Sequence, residues 1–163
     1  MGYSVRKAKW EDIPRIEALY GFARGFMAAH GNAKQWGDNY PPAEMIREDI
    51  GQGKLYLVHS TEEIHGVFYF CAEEDPTYRK IYQGEWQRDD AYGVIHRVAG
   101  DGSGGIFQTV VDYAREKIGY LRIDTHEDNL VMQRALEKQR FRRCGVVIIE
   151  DGTTRLAYDR IEE

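Results

Sequence analysis

The spacing of apolar residues along the chain predicts seven strands and four helices. Apolar side chains at every second position indicate strands, as in Leu55 and Leu57, and apolar side chains three or four positions apart indicate helices. The predicted strands cover residues 3–8, 54–60, 66–72, 92–99, 120–125, 141–149 and 154–158. The predicted helices cover residues 11–30, 43–50, 106–118 and 130–138, with a bend or a break at Gly21 or Gly25 in the first.

The order of these elements is β α α β β β α β α β β. One parallel βαβ unit lies in the middle of the chain, and antiparallel hairpins lie on either side of it. The sequence therefore predicts a single α/β (α+β) domain over residues 1–163, with a mixed, mainly antiparallel sheet of about seven strands and helices on both faces.

Two polar stretches separate the predicted elements. Residues 32–42 form a polar and aromatic loop that ends in two prolines, and residues 73–90 form a charged loop with three aromatic residues. A loop as long as the second is usually functional or mobile.

A glycine-rich loop, residues 100–105 (GDGSGG), joins a predicted strand to a predicted helix. Glycines allow backbone N–H groups to approach a phosphate closely, and the N-terminus of the helix adds partial positive charge. The loop therefore predicts that the chain binds a phosphorylated molecule.

The letters of this loop alone favour a dinucleotide site. Gly100, Gly102 and Gly105 match the pattern GxGxxG, and Asp124 lies 19 residues after Gly105 at the end of the next predicted strand, where a ribose-binding acid would lie. A dinucleotide fold, however, starts with this unit and repeats it, whereas here helices and a hairpin come first. An NAD-binding oxidoreductase is therefore kept only as a minor alternative for the function of the chain.

The element order and several short motifs resemble the GCN5-related N-acetyltransferase (GNAT) family, and in particular its small bacterial-type acetyltransferases. The resemblance covers essentially the whole chain. The motifs are QWGD at 35–38, IHRVA before the glycine loop, DTHEDN at 124–129, MQR at 132–134 and the closing CGVVIIEDGTTRLAYDR.

The resemblance implies a GNAT fold, acetyl-CoA as acyl donor and direct acetyl transfer to an amine. In that family CoA lies where the fourth strand splays from the fifth. Backbone groups of the fourth strand would bind the acetyl carbonyl and pantetheine, the glycine loop would bind the pyrophosphate, and Asn129 would contact the CoA arm. The implied donor-binding residues are Val98, Ala99, Gly102, Ser103, Gly104, Gly105, Ile106, Phe107, Asn129 and Met132.

The sequence departs from the family pattern in three places. The family loop is Gln/Arg-x-x-Gly-x-Gly/Ala, but its first and last positions are here Gly102 and Phe107. Leu136 stands where the family often has a tyrosine, and Arg140 replaces the glycine before a phenylalanine. A non-catalytic, acyl-CoA-binding or regulatory GNAT-like protein is therefore the main alternative to an active acetyltransferase.

Two residues are candidates for acid–base catalysis. His96 precedes the expected acetyl site, and strand alternation places it on one face with Val94 and Val98, opposite Arg97. It is either a general base, acting through water, or a hydrogen-bonded structural histidine. Tyr158 either replaces the missing family tyrosine as general acid or packs within the sheet.

Three residues are candidates for acceptor binding. Trp36 and Tyr40 either line an acceptor pocket or pack within the core, and His126 lies either at the rim of that pocket or in a helix-capping turn. Cys144 is most simply a buried small residue, and the sequence predicts no metal site.

The charge of the chain limits its partners. It has 22 basic and 27 acidic residues, a net charge of −5 and an isoelectric point near 5.6, which argue against nucleic acid or an anionic membrane. A small-molecule or peptide amine fits better as acceptor. Two cysteines form no disulfide framework, which favours a reduced, cytoplasmic location. A homodimer through the C-terminal hairpin is compatible with the sequence.

Overall fold

A computed structural model gives the structure of residues 2–163, and its elements follow the predicted order. The strands are β1 (Ser4–Lys7), β2 (Leu55–His59), β3 (Ile64–Cys71), β4 (Gly93–Gly100), β5 (Tyr120–Thr125), β6 (Arg142–Ile148) and β7 (Thr154–Ile161). The helices are α1 (Ile13–Ala29), α2 (Ala43–Gly51), α3 (Ile106–Lys117) and α4 (Leu130–Lys138), and short 3₁₀ helices cover Trp10–Asp12 and Pro76–Arg79.

The seven strands form one sheet in the order β1-β2-β3-β4-β5-β7-β6. Strands β4 and β5 pair in parallel, and the remaining neighbours pair antiparallel. The predicted mixed sheet is therefore confirmed. Strand β7 lies between β5 and β6, so the final hairpin joins the sheet through its second strand.

Helices cover both faces of the sheet. On one face α3 and α4 pack through residues such as Val110 and Leu136, and on the other α1 and α2 pack through residues such as Leu19 and Ile46. Helix α1 runs without the predicted break, because its buried stripe continues to Ala23 and Gly25 lies on its exposed side.

Strands β4 and β5 pair only where they begin. Gly93 pairs with Leu121 and Val94 pairs with Arg122, and no pairing joins the strands beyond these residues in the described part of the chain. The backbone groups along the rest of β4 are therefore free of β5. This divergence is the splay that the resemblance implied.

The charged segment between β3 and β4 packs onto the sheet beside this splay. Tyr82 exchanges two backbone hydrogen bonds of 2.8 Å with Val146 of β6. The guanidinium carbon of Arg122 lies 4.2 Å from the ring centre of Trp86 and 4.1 Å from that of Tyr92. These contacts hold the segment against β6 and against the ends at which β4 and β5 are paired.

Among the described residues, no helix is long and apolar enough to cross a membrane.

Candidate active site

A cavity of about 720 Å³ lies between the diverging strands, within the usual size range of small-molecule sites. Strand β4 contributes residues 95–98 and β5 contributes residues 123–125. The loop after α1, the first residues of α4 and the β6–β7 turn form the remaining walls. The two diverging strands, two loops and the start of α4 therefore form a cleft.

The cavity brings together six of the residues predicted from the sequence. They are Trp36, Tyr40, His96, Val98, Asn129 and Met132. Ala99 adjoins this group on β4, but it packs against the core beneath α1.

A bulge in β4 changes the face on which its residues lie. Tyr69 pairs with His96 and Val67 pairs with Ala99, so β4 has one extra residue, and Arg97 there adopts a left-handed φ of 51°. The predicted strict alternation is therefore wrong at this point.

The bulge separates Val98 from His96 and brings Arg97 to the side of His96. Val98 packs against the core below α3, whereas His96 and Arg97 both lie against Tyr69. The hydroxyl of Tyr20 donates to the carbonyl of Arg97 at 3.0 Å and holds the bulge from the side of α1.

An almost buried ion pair holds the side chain of Arg97. Its Nε and Nη2 each lie 3.0 Å from one carboxylate oxygen of Asp49 on α2, and the two side chains are 13% and 8% exposed. The guanidinium carbon lies 4.5 Å from the centre of the Tyr69 ring. This paired geometry is the strongest form of an arginine–carboxylate contact.

His96 is hydrogen-bonded to an acid from the packed segment. Its Nε2 lies 2.8 Å from Oδ2 of Asp75, and the backbone N–H of Thr77 donates to Oδ1 of the same carboxylate at 2.9 Å. Burial alone would raise the pKa of Asp75, but the hydrogen bonds and the charge of His96 outweigh burial and lower it. When Nε2–H of His96 donates to Asp75, the other ring nitrogen of that neutral tautomer, Nδ1, is a proton acceptor.

Tyr78 links His96 to the opposite strand. Its hydroxyl donates to Oδ2 of Asp124 on β5 at 2.6 Å, and its ring centre lies 6.0 Å from that of His96. Burial, followed by the charge of Asp124, holds the pKa of Tyr78 well above its ordinary value. Tyr78 therefore remains a donor to Asp124, and the acid faces the same part of the cleft as His96.

The loop after α1 is joined to α4 across the mouth of the cleft. Oε1 of Gln35 accepts from the side chains of Asn32 and Asn129 at 3.0 Å each, and Oδ1 of Asn129 accepts the N–H of Met132 at 3.0 Å. Trp36 packs against Tyr20 and also lines the cleft.

The glycine loop lies at the N-terminus of α3. Gly102 and Gly105 adopt left-handed φ angles of 91° and 83°. In the described part of the chain, no hydrogen bond within the protein uses the N–H groups of Gly102, Gly104, Gly105, Ile106 or Phe107, which leaves them available to an anion.

Asp101 holds the glycine loop in place. Its carboxylate accepts from the N–H of Ser103 at 3.0 Å, lies 2.8 Å from Nδ1 of His65 and lies 3.6 Å from the guanidinium of Arg15. Burial alone would raise the pKa of Asp101, but hydrogen bonds from Ser103 and His65 outweigh it and lower the pKa. Arg15 thus places a cation beside a loop that has Gly102 where the GNAT pattern has glutamine or arginine.

Two of the five residues predicted for catalysis or acceptor binding do not line the cleft. Tyr158 is 1% exposed and packs with Leu136 and Phe141 on the face of α3 and α4. Nδ1 of His126 accepts the N–H of Asp128 at 2.9 Å in the turn before α4, which matches the capping interpretation.

Sequence reasoning missed the partners of the cleft residues. Asp75, Tyr78 and Asp49 come from elements that are distant in sequence from the residues they contact. The available signal for Asp75 and Tyr78 is the length of the charged loop 73–90, which predicts a functional or mobile segment.

Thr125, at the end of β5, has a buried hydroxyl without a hydrogen-bond partner in the described part of the chain. Since an unpaired buried polar group costs about 1–3 kcal/mol, we expect Thr125→Val to raise the free energy of unfolding by about 1 kcal/mol in a denaturant titration. The matched control is Thr109→Val on α3, which removes a hydroxyl that donates to Gly105 at 2.8 Å. A lower stability for Thr125→Val than for the wild type would contradict the expectation.

The structure is similar to solved acetyltransferases along its whole length. A GNAT-family acetyltransferase from Streptococcus agalactiae is 30% identical with a TM-score of 0.90, and the match covers 100% of this chain and 97% of that one. A GNAT-family acetyltransferase from Listeria monocytogenes is 16% identical with a TM-score of 0.70, covering 98% and 94%.

A third match is the N-acetylglutamate synthase from Neisseria gonorrhoeae, solved in complex with coenzyme A and N-acetyl-glutamate. It is 15% identical with a TM-score of 0.62, and the match covers 100% of this chain and 36% of that one. The second and third matches show the fold alone. No protein-family model matches the chain, and no curated protein does either.

Proposed function

This chain belongs to the GNAT family of acetyltransferases, and from that premise we propose that it is an acetyl-CoA-dependent N-acetyltransferase that transfers acetyl directly to an amine. The observation that carries the proposal is the cleft between β4 and β5, which is lined by the unpaired part of β4 and by His96, itself hydrogen-bonded to Asp75. The cleft combines a place for an extended donor with a proton acceptor.

The residues at this cleft and loop fit the acyl donor. The free N–H groups of the glycine loop and the first turn of α3 would bind the pyrophosphate, with help from the helix terminus. The free edge of β4 at Val98 and Ala99 would bind pantetheine and the acetyl carbonyl, and Asn129 and Met132 would contact the arm from the side of α4.

Acetyl transfer requires a neutral acceptor amine, a base that takes its proton and a hydrogen-bond donor to the developing oxyanion. The acceptor nitrogen, as a neutral amine, attacks the thioester carbon; the new C–N bond forms, the C–S bond breaks, and the amine gives up one proton. His96 takes that proton at Nδ1, directly or through a water, while Asp75 holds its ring. Backbone N–H groups of β4 stabilise the developing oxyanion.

The departing CoA thiolate takes its proton from solvent. A thiol pKa near 8.5 makes this the least demanding step, so the chain can work without a tyrosine at position 136. Trp36 and Tyr40 would form the apolar wall of the acceptor pocket.

Direct transfer is favoured over an acyl-cysteine intermediate. Neither Cys71 nor Cys144 lines the cleft. Burial, followed by the neighbouring Asp159, raises the pKa of Cys144 to about 12, so little reactive thiolate is present at neutral pH.

The test is release of free thiol from acetyl-CoA in the presence of a broad panel of amines, with the acetylated product identified by mass spectrometry. The proposal expects release that depends on one class of amine and forms one acetyl amide per thiol. If acetyl-CoA binds but no amine in the panel releases thiol, the proposal is wrong and the non-catalytic alternative holds.

A further inference from the structure

Arg155 on β7 is a buried cation in the cleft without a carboxylate partner. Only 7% of the residue is exposed, and it lines the cavity. Its Nη1 donates to Oγ1 of Thr153 at 3.0 Å and to the carbonyl of Thr154 at 2.8 Å. In the described part of the chain, its Nε and Nη2 have no hydrogen-bond partner, and no carboxylate lies within salt-bridge distance.

The Nε and Nη2 atoms of Arg155 are not among the buried polar atoms that lack a partner, so they are open to the cleft although the residue as a whole is largely buried. The Nε and Nη2 atoms of a guanidinium present two parallel N–H groups that match the two oxygens of a carboxylate. The free side of Arg155 therefore points to a ligand that carries a carboxylate.

Asp124 of β5 lies on the same face of the sheet as Arg155, on the adjacent strand. It pairs with Ala157, and Arg155 is two residues before Ala157 on β7, so the two side chains are diagonal neighbours on adjacent strands. Such neighbours lie roughly 7–8 Å apart at the backbone. They do not form a salt bridge with each other, and Asp124 instead accepts from Tyr78.

The cleft thus presents separated charges of opposite sign in a fixed order. His96 and Asp124 both line the cleft at the splay, where the thioester would lie, and each contacts Tyr78; Arg155 lies on the next strand, β7. A carboxylate at the splay favours a positively charged amine, and the guanidinium farther away favours an anion. The distance between them suits one small molecule that carries both groups.

We propose that the acceptor is a free amino acid, whose carboxylate binds the Nε–Nη2 edge of Arg155 while its amine lies between Asp124 and His96. Asp124 draws the ammonium form into the cleft, where the ammonium first loses one proton to solvent. The neutral amine then attacks the thioester carbon, and His96 accepts the second proton. This inference rests on the proposed acetyltransferase activity and specifies its acceptor.

Other charges at the cavity do not take over either role. Arg97 lines the cleft but already has both carboxylate oxygens of Asp49. Asp151 lies in the β6–β7 turn, where hydrogen bonds from Thr153, followed by the charge of Arg155, lower its pKa, but it forms no salt bridge with Arg155. Glu150 and Lys34 are exposed at the rim.

The experiment compares each α-amino acid with its own primary amide as acceptor, in the thiol-release assay with acetyl-CoA. The amide keeps the amine and the side chain but removes the carboxylate. We expect kcat/KM for the preferred amino acid to exceed that of its amide by about 10- to 100-fold, the value of a hydrogen-bonded charge contact.

Arg155→Gln and Arg155→Lys test the assignment to this residue. Arg155→Gln should lower the acid-to-amide ratio of kcat/KM about 10- to 100-fold, mainly through KM, and Arg155→Lys should lower it less because the charge remains. The matched control is Arg142→Gln, an exposed arginine on neighbouring β6, which should keep the wild-type ratio. Acetyl-CoA titration of every variant shows whether it is folded and binds donor.

The outcomes separate the two proposals. Acetylation of amides or simple amines as efficiently as amino acids, with an unchanged ratio in Arg155→Gln, overturns the acceptor class and leaves the acetyltransferase proposal standing. Weaker acetyl-CoA binding by Arg155→Gln, with an unchanged ratio, assigns Arg155 to the donor and also overturns the inference. No thiol release with any acceptor, despite donor binding, overturns both proposals.

Discussion

His96→Gln is expected to lower kcat by about 10²- to 10⁴-fold, the usual contribution of a positioned general base. The substitution keeps a polar side chain of similar size against Tyr69 and Tyr78, but it cannot take the proton of the attacking amine. KM for the acceptor should change far less, because the anchoring charges at Asp124 and Arg155 remain. Steady-state kinetics over a range of pH measures both constants.

The matched control for this prediction is His59→Gln. His59 is also partly buried in a strand and hydrogen-bonded, to the carbonyl of Ser60 at 3.0 Å, but it lies on β2, away from the cleft. The control should keep kcat within about twofold of the wild type, since surface changes away from a site are near neutral. A His96→Gln enzyme with more than a tenth of the wild-type kcat would remove His96 from the role of base.

Asp49→Asn is expected to lower the free energy of unfolding by about 3–5 kcal/mol, which is the cost of breaking a buried ion pair by removing one partner. The change leaves the 13%-exposed guanidinium of Arg97 without its anion at the bulge of β4. For a domain of this size, the melting temperature should fall by roughly 6–20 °C. Denaturant titration and calorimetry measure the two quantities.

Glu48→Gln is the control for Asp49→Asn, because Glu48 is the neighbouring acid on the same helix but is exposed. It should change stability by less than about 0.5 kcal/mol. If Asp49→Asn loses less than about 1 kcal/mol, the pair with Arg97 does not hold the bulge as described.

The fold was predictable because its local patterns agree with its topology. The predicted bounds of α4 and β5, residues 130–138 and 120–125, match the observed ones, because helical spacing and strand alternation are local patterns. The insertion of β7 between β5 and β6 depends on long-range pairing, which neither alternation nor turn residues encode.

The site was only partly predictable, because its chemistry depends on residues brought together by tertiary contacts. His96, Trp36 and Tyr40 were identified as candidates, and each lines the cleft. Strand alternation failed at Arg97, because a bulge adds one residue, and a positive φ at arginine has no signature in the sequence. Arg155 could not be identified from the sequence, because its proposed role depends on its burial and on its having no carboxylate within salt-bridge distance.

The sheet around the glycine loop does not fit the dinucleotide-binding fold that its GxGxxG pattern suggests. GxGxxG matches a dinucleotide site, but the sheet around it has one parallel pair, β4 with β5, among antiparallel neighbours in the described part of the chain. A dinucleotide fold would need a series of parallel strands. The cleft beyond Val94 therefore favours an acyl-CoA donor.

The most direct test of that assignment is isothermal titration calorimetry with acetyl-CoA, with NADH titrated separately as the competing ligand class. We expect one molecule of acetyl-CoA to bind per chain, and we expect CoA but not NADH to displace it. No heat of binding with acetyl-CoA or CoA at millimolar concentration would contradict the acetyltransferase assignment, and saturable NADH binding that CoA does not displace would favour the dinucleotide alternative.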